Sequence, residues 1–380
     1  MKRRQLLLAQ LDLANRSIPA QFPRQISSPS TLSSEQLDLT QLTFELDQSD
    51  IGEIEFALRT FDARHGQPND ISRVTFPLPT LGPRLRAISA DLHRGSGLAI
   101  LKNLQPDKYT PWENMVLYAG IASYIGDVRG TQSGSNHVLT HLRVANNVSD
   151  PRPSFMRDDL PFHNDNGEIL SLYIVEPAAS GGNTMISSAG HVYNELVRTK
   201  PYLIDVLAKD DWPHWTARKP TKEKCFPLLF PGENQTPYFG FTRYSLTGSE
   251  SSPKPEHIRP LTLLQAEAMD SIEMLAAKNA VALPQRKGDL HFISNRAFFH
   301  ARKAYQDLSM DNARHLMRLI LMDSEFGHAL TTAEKVRWGA SFEFSPDQAA
   351  WILEKEHTHE MASSSEFDSL YLDETTHTSS

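Results

Sequence analysis

The sequence predicts a mainly β protein with α decoration: a jelly-roll core with flanking and inserted helices. Two observations carry that class. Short apolar runs punctuated by turn residues recur at 98–101, 169–175, 289–293 and 315–322, and helical periodicity is confined to segments ahead of them or between them. An apolar fraction of 39% over 380 residues is enough for a sizeable core, and β folds of this length often stay single domains.

In chain order, Met1 to Leu8 reads as an amphipathic helix rather than a signal peptide, because Gln10 and Asp12 follow three leucines at once. Residues 16–36, rich in Ser, Pro and Gln, read as a surface connection. Helices are expected over 51–63 and 85–92, then a buried strand at 98–101 behind Gly95-Ser96-Gly97. Residues 112–125 carry apolar groups at helical spacing and end at Gly126, an expected C-cap. His137 and His141, four apart, would share one helix face. They read as surface or packing histidines, because a zinc helix wants glutamate where Val138 stands. Asp150-Pro151-Arg152-Pro153 marks a turn.

Beyond it come a strand at 169–175, a tight turn at Gly181-Gly182-Asn183-Thr184 and a strand starting at Met185. Ser187 or Ser188 would cap a helix through Val197, and Pro201 opens another to Leu207. Residues 217–260, with seven prolines, suit an irregular insertion over a site. A helix over 261–277 precedes the last strands, and 363–380 is a Ser/Thr/acid-rich tail expected to be mobile. The expected division is 1–75 as an extension packing on the core, 76–345 as the core domain with an insertion at about 210–260, and 346–380 as a C-terminal segment.

A net charge of −8 and a pI near 6.0 argue against a nucleic-acid surface. The single cysteine, Cys225, rules out an internal disulfide framework and favours a reducing compartment, hence a cytoplasmic protein. No apolar run approaches the roughly 20 residues a membrane span needs. The oligomeric state, including a homo-oligomer, stays open.

The chemistry centres on Leu160-Pro161-Phe162-His163-Asn164-Asp165. In an extended segment His163 and Asp165 point to one side with Cα atoms roughly 6.5 Å apart, so both can grip one metal ion while Asn164 faces away. A second imidazole would complete the two-His-one-carboxylate face of non-haem Fe(II) oxygenases. Of His191, His214, His257, His291, His300, His315 and His328, the best placed is His300, on an extended piece after a strand and turn. Arg314 and Arg318 lie four apart in a strand, on one face with Leu316 and Ile320. Buried arginines need anions, so these hold two separate anions unless the face is exposed or they pair with distant acids. Phe298, Phe299, Trp212, Trp215, Phe342 and Phe344 read as core more readily than as pocket wall. Arg302 and Lys303 read as solvated charges.

These residues, with Glu176-Pro177-Ala178-Ala179-Ser180-Gly181-Gly182-Asn183-Thr184, Gly288-Asp289, Asn295-Arg296 and Arg314-His315-Leu316-Met317-Arg318, resemble the TauD/TfdA family of Fe(II)/2-oxoglutarate-dependent dioxygenases, with its clavaminate synthase relatives. The resemblance implies a double-stranded β-helix fold with His163, Asp165 and His300 as iron ligands. It implies Arg314 and Thr184 at the distal carboxylate of 2-oxoglutarate, and Arg318 at a substrate anion or the cosubstrate end near the metal. The implied cofactors are Fe(II), 2-oxoglutarate and O2. The implied reaction is hydroxylation, desaturation or oxidative cyclisation of a small, carboxylate-bearing substrate such as an amino or carboxylic acid, with release of succinate and CO2. Asp165 disfavours halogenation, for which relatives keep a small residue there. The rival expectations are a non-catalytic jelly-roll protein binding metal or anions, and an iron oxygenase not using 2-oxoglutarate.

Overall fold

Four of the apolar runs become the centre of one sheet because both of its faces are covered, which is what makes a strand read as a continuous apolar run. In the computed structural model, residues 18–132, 136–144, 153–216, 219–249, 253–309, 313–345 and 348–353 are described. The expected helix at the N-terminus, most of the turn at 150–153 and the tail at 363–380 lie outside them. The larger sheet runs Thr43–Glu45, Leu98–Lys102, Leu290–Ser294, Ile169–Glu176, His315–Met322 and Val128–Gly130, with Thr140–Leu142 also pairing on His315–Met322. Its neighbours are antiparallel except the first pair, which is parallel. A smaller antiparallel sheet runs Val281–Ala282, Thr184–Ser188, Phe298–Arg302 and Leu160–His163.

Period-two alternation sorts the side chains into layers. Leu98, Ile100, Leu172, Ile293 and Leu316 face inward and meet Ile186 and Phe298 of the smaller sheet. Their neighbours Ala99, Leu101, Tyr173, Met317 and Leu319 face outward against the helices Gln48–Ala63, Leu81–Arg94 and Pro111–Ala122. Each such large side chain contributes about 1.5–3 kcal/mol by leaving water. The outer face of the smaller sheet, with Phe162, Phe299 and Ala301, is covered by Ala189–Thr199, Tyr202–Leu207, Leu263–Lys278 and the insertion residues Trp212, Phe239 and Phe241. The result is a two-sheet sandwich jacketed by helices on both sides.

Three expectations are corrected. The helix over 112–125 stops earlier: it runs Pro111–Ala122, started by a Thr110/Glu113 capping box and ended at Ser123 rather than Gly126. His141 is not on a helix. It lies in Thr140–Leu142 opposite Met317, and its Nδ1 meets His315 Nε2 at 2.8 Å while its Nε2 donates to Ile352 O at 2.8 Å. The insertion is more regular than its prolines suggest. It holds the hairpin of Pro213–Thr216 with Lys219–Cys225, a second of Leu229–Phe230 with Tyr238–Phe239, and the short helix Tyr244–Thr247. Ser188 is the cap of Ala189–Thr199, accepting from His191 N. No helix among the described residues is long and apolar enough to cross a membrane.

Candidate metal centre

His163 ends one strand of the smaller sheet and His300 lies directly opposite it on the neighbouring strand. Directly paired side chains on one sheet face sit close together, and here the ring centroids are 4.1 Å apart. Two residues beyond His163, the chain returns Asp165 to the same side. Its Oδ1 is 3.6 Å from His163 Nε2 and its Oδ2 is 3.7 Å from His300 Nε2. Among the described residues, this is the one group of three or more His, Cys, Asp or Glu side chains whose ligand atoms all lie within 4.8 Å of one another.

The donor chemistry fits a divalent metal. Pro161 O can only accept, so the 2.9 Å contact from His163 Nδ1 places the proton there and leaves Nε2 as the lone-pair atom facing Asp165. Burial pushes the His163 imidazole down, against the pull of Asp165. Burial, with His163 alongside, lowers His300 to about 3. Both rings are therefore neutral near pH 7. Burial alone would raise the Asp165 carboxyl, but Arg318, then His300 and His163, override it and hold it at about 2.

Asn164, between His163 and Asp165, is a clamp. Its Nδ2 donates to Asn295 O at 2.8 Å and Phe298 O at 3.0 Å, while its Oδ1 accepts from Phe241 N at 3.3 Å. Its main-chain oxygen accepts from Arg337 Nη2 at 3.3 Å and Thr242 Oγ1 at 3.4 Å. The two Nδ2 bonds tie the His163–Asp165 segment to the turn that launches the His300 strand, and the others tie it to Phe241, Thr242 and Arg337.

The two arginines differ. Arg318 Nη1 donates to Asp165 Oδ2 at 3.2 Å and Nη2 to Gln132 Oε1, so the distant acid is one of the three clustered groups. Arg314 is 3% exposed and has no salt-bridge partner among the described residues. Its Nη2 reaches Gly182 O at 3.4 Å, its Nε lacks a hydrogen-bond partner, and its guanidinium sits 5.1 Å from the Tyr305 ring centre. Burial, then Arg302, lowers its pKa to about 10. Gly182, at φ +70°, makes room: a Cβ there would come within 3.1 Å of both Arg314 Nε and Tyr305 Cβ. Thr184 lies beside this cluster. The Gln285 amide is best satisfied donating to Gly182 O at 2.9 Å and accepting from Thr184 Oγ1 at 2.8 Å.

Lys303 is exposed, as expected, but Arg302 is not a solvated charge. It is 6% exposed and donates to Ser154 O and Asp158 O at 3.1 and 2.5 Å, because its place on the Phe298–Arg302 strand turns it under the 153–159 segment. Of the other histidines, His214 stacks on Phe226 at 3.7 Å, His291 is buried in the larger sheet and His328 approaches Glu233 at 3.4 Å. None joins the cluster. The six aromatics considered for a pocket wall do not line the cavity at the triad, which measures about 680 Å3 and is bounded by His163, Asp165, Arg318, Leu160, Phe162 and Tyr244 among others.

A two-sheet jelly roll with two histidines and a carboxylate converging between strands, and a buried anion-seeking arginine nearby, is the architecture of a non-haem iron oxygenase. Comparison with known proteins agrees. The profile of the taurine catabolism dioxygenase TauD, TfdA family matches residues 62–320. A taurine hydroxylase-like protein, SAT17, of Stachybotrys chartarum (strain CBS 109288 / IBT 7711) is 32% identical over 296 residues, covering 75% of this chain and 76% of the relative. FR-33289 synthase of Streptomyces rubellomurinus (strain ATCC 31215) is 24% identical over 316 residues, 80% and 91% of the two chains. Among solved structures, asparagine oxygenase in complex with Fe(II), 2S,3S-3-hydroxyasparagine and succinate superposes with a TM-score of 0.59 at 16% identity, over 76% of this chain and 99% of that one. The non-haem iron oxygenase OrfP with Fe and alpha-ketoglutaric acid gives 0.57 at 15% identity, over 73% and 93%. The chain belongs to the TauD/TfdA family and is a non-haem iron dioxygenase.

Proposed function

We propose that the protein is an Fe(II)- and 2-oxoglutarate-dependent oxygenase that oxidises a C–H bond of a small anionic substrate. His163, Asp165 and His300 hold the iron, Arg314 with Thr184 receives the distal carboxylate of 2-oxoglutarate, and Arg318 faces an anionic group of the substrate. The observation that carries this is the pairing of two neutral imidazole Nε2 atoms on one ionised carboxylate with a buried arginine that lacks a carboxylate of its own. Iron, cosubstrate and O2 together would supply the oxidation, with succinate and CO2 as coproducts.

The chain's own residues orient and sort. Arg318 fixes the Asp165 carboxylate and keeps it ionised. A guanidinium offers five N–H donors, and Arg318 uses two of them on described residues, so donors remain for an anion entering the cavity. Arg314, almost fully buried, stands to gain from a bidentate carboxylate because only Gly182 O and the Tyr305 side chain meet its guanidinium and no carboxylate among the described residues pairs with it. Asn164 keeps the two strands that carry His163 and His300 in register through its two Nδ2 bonds, and Phe241 N holds its Oδ1. Asparagine and arginine derivatives bound by the solved relatives support an amino or carboxylic acid as substrate. The lone, exposed Cys225 and the absence of a spanning helix among the described residues support a cytoplasmic enzyme.

The test is metal and succinate together. Wild-type protein should bind one equivalent of Fe(II) and convert 2-oxoglutarate slowly to succinate under air. Asp165→Ala should lose both, and Arg314→Leu should keep the metal and lose succinate. Succinate release unchanged in Arg314→Leu would assign the cosubstrate elsewhere.

A further inference from the structure

The cavity beside the triad is large enough, and apolar enough along one wall, to take an acid bigger than a free amino acid. Arg318, His163 and Asp165 line its inner end, whereas Arg314 and Thr184 do not, so its volume lies on the substrate side of the centre. About 680 Å3 falls within the roughly 300–1,000 Å3 of pockets that enclose drug-sized ligands. At about 30 Å3 per water-sized group, it has room for roughly twenty such groups, more than double the size of asparagine. Away from Arg318 the wall is formed by Met156, Leu160, Phe162, Tyr244 and Ile320. Two exposed carboxylates, Asp158 and Asp159, stand at the rim. The other arginine on the wall, Arg243, is partly exposed and already donates to Asp270 at 2.8 Å, so solvent screening makes it a weaker anion anchor than Arg318.

Resting on the iron and 2-oxoglutarate assignment above, we propose that the substrate is an elongated monoanion larger than a free amino acid. One carboxylate or comparable head sits at Arg318, and an uncharged, largely apolar body lies along Met156, Leu160, Phe162 and Tyr244. The far end carries no negative charge, because Asp158 and Asp159 would repel it. Size and apolar surface, rather than a second charged contact, set the preference.

N-acylglycines from acetyl to decanoyl, with free asparagine, arginine and dicarboxylic acids of matched length, supply the probes. They are titrated anaerobically into protein loaded with Fe(II) and 2-oxoglutarate, and binding is followed by the change in visible absorption. Affinity should rise about three- to fourfold per methylene over the first several additions, and dicarboxylates should bind at least tenfold more weakly than the matching N-acylglycine. Leu160→Trp, which narrows the apolar wall, should erase the gain for long chains. A flat response to chain length, or free amino acids binding more tightly than octanoylglycine, overturns the inference. Failure of 2-oxoglutarate itself to change the spectrum overturns instead the assignment it rests on. Calorimetry of the same ladder on metal-free protein then still reads the size preference.

Discussion

Replacing Asn164 with alanine should loosen the metal centre without touching a ligand. The side chain is 3% exposed and makes three hydrogen bonds: two from Nδ2 to Asn295 O and Phe298 O, and one from Phe241 N to Oδ1. At about 1 kcal/mol net for each bond, the loss is about 3 kcal/mol, and larger if the stranded carbonyls stay dry. For a chain of 380 residues that corresponds to a fall in Tm of about 4 °C. Asn164→Asp should be worse, because a carboxylate accepts only and would face two carbonyl oxygens. Calorimetric melting of the metal-free protein reads the stability term, and Co(II) titration reads the ligand geometry. If Asn164→Ala melts with the wild type and binds Co(II) equally tightly, the clamp assigned to Asn164 is wrong.

Other outcomes follow from the same structure. Arg314→Leu should leave the metal-free protein as stable as wild type or more so, since relief from holding a desolvated charge offsets the lost bond to Gly182 O and the lost contact with the Tyr305 ring; a large loss of Tm would mean that Arg314 is already fully compensated. Gly182→Ala should destabilise by about 1–3 kcal/mol, because φ is +70° and its Cβ would press on Arg314 and Tyr305. It should also raise the KM for 2-oxoglutarate more than it lowers kcat. Burial lowers the His291 imidazole to about 4. The unfolded chain therefore takes up a proton near pH 6.5 that the folded one refuses, and stability falls as pH drops from there towards 4. His291→Leu should be more stabilising at pH 5 than at pH 7.5 by about 2 kcal/mol, measured by urea unfolding at both pH values. An equal effect at the two pH values would contradict a neutral buried imidazole.

The fold was legible where both faces of a strand are buried, as in Leu98–Lys102, Ile169–Glu176, Leu290–Ser294 and His315–Met322, because such runs stand out by composition alone. Two- and three-residue strands have no such signal. Thr140–Leu142 takes its place from pairing with a strand more than 170 residues later, and the parallel Thr43–Glu45 edge likewise depends on its partner. At the site, His163 and Asp165 were readable from period-two geometry, and His300 from its strand–turn–strand setting. What holds them was not. Arg318 finds Asp165 across 153 positions and Gln132 across 186. Arg337 reaches Asn164 from the C-terminal helix Thr332–Phe342. Arg302 reads as a surface charge in sequence because the carbonyls that bury it, Ser154 and Asp158, lie in a loop about 145 residues earlier. The left-handed Gly182 was legible as a turn residue. That its missing Cβ is the space Arg314 occupies could come only from the folded chain.

The most direct measurement is anaerobic reconstitution with Fe(II) followed by addition of 2-oxoglutarate. If His163, Asp165 and His300 hold iron, and Arg314 draws the cosubstrate onto it, a visible charge-transfer band should develop in the wild type. It should saturate at one equivalent and be absent from His300→Ala and Arg314→Leu. Iron bound tightly at the triad with no band on adding 2-oxoglutarate would contradict the account and leave an iron oxygenase that uses another cosubstrate or none.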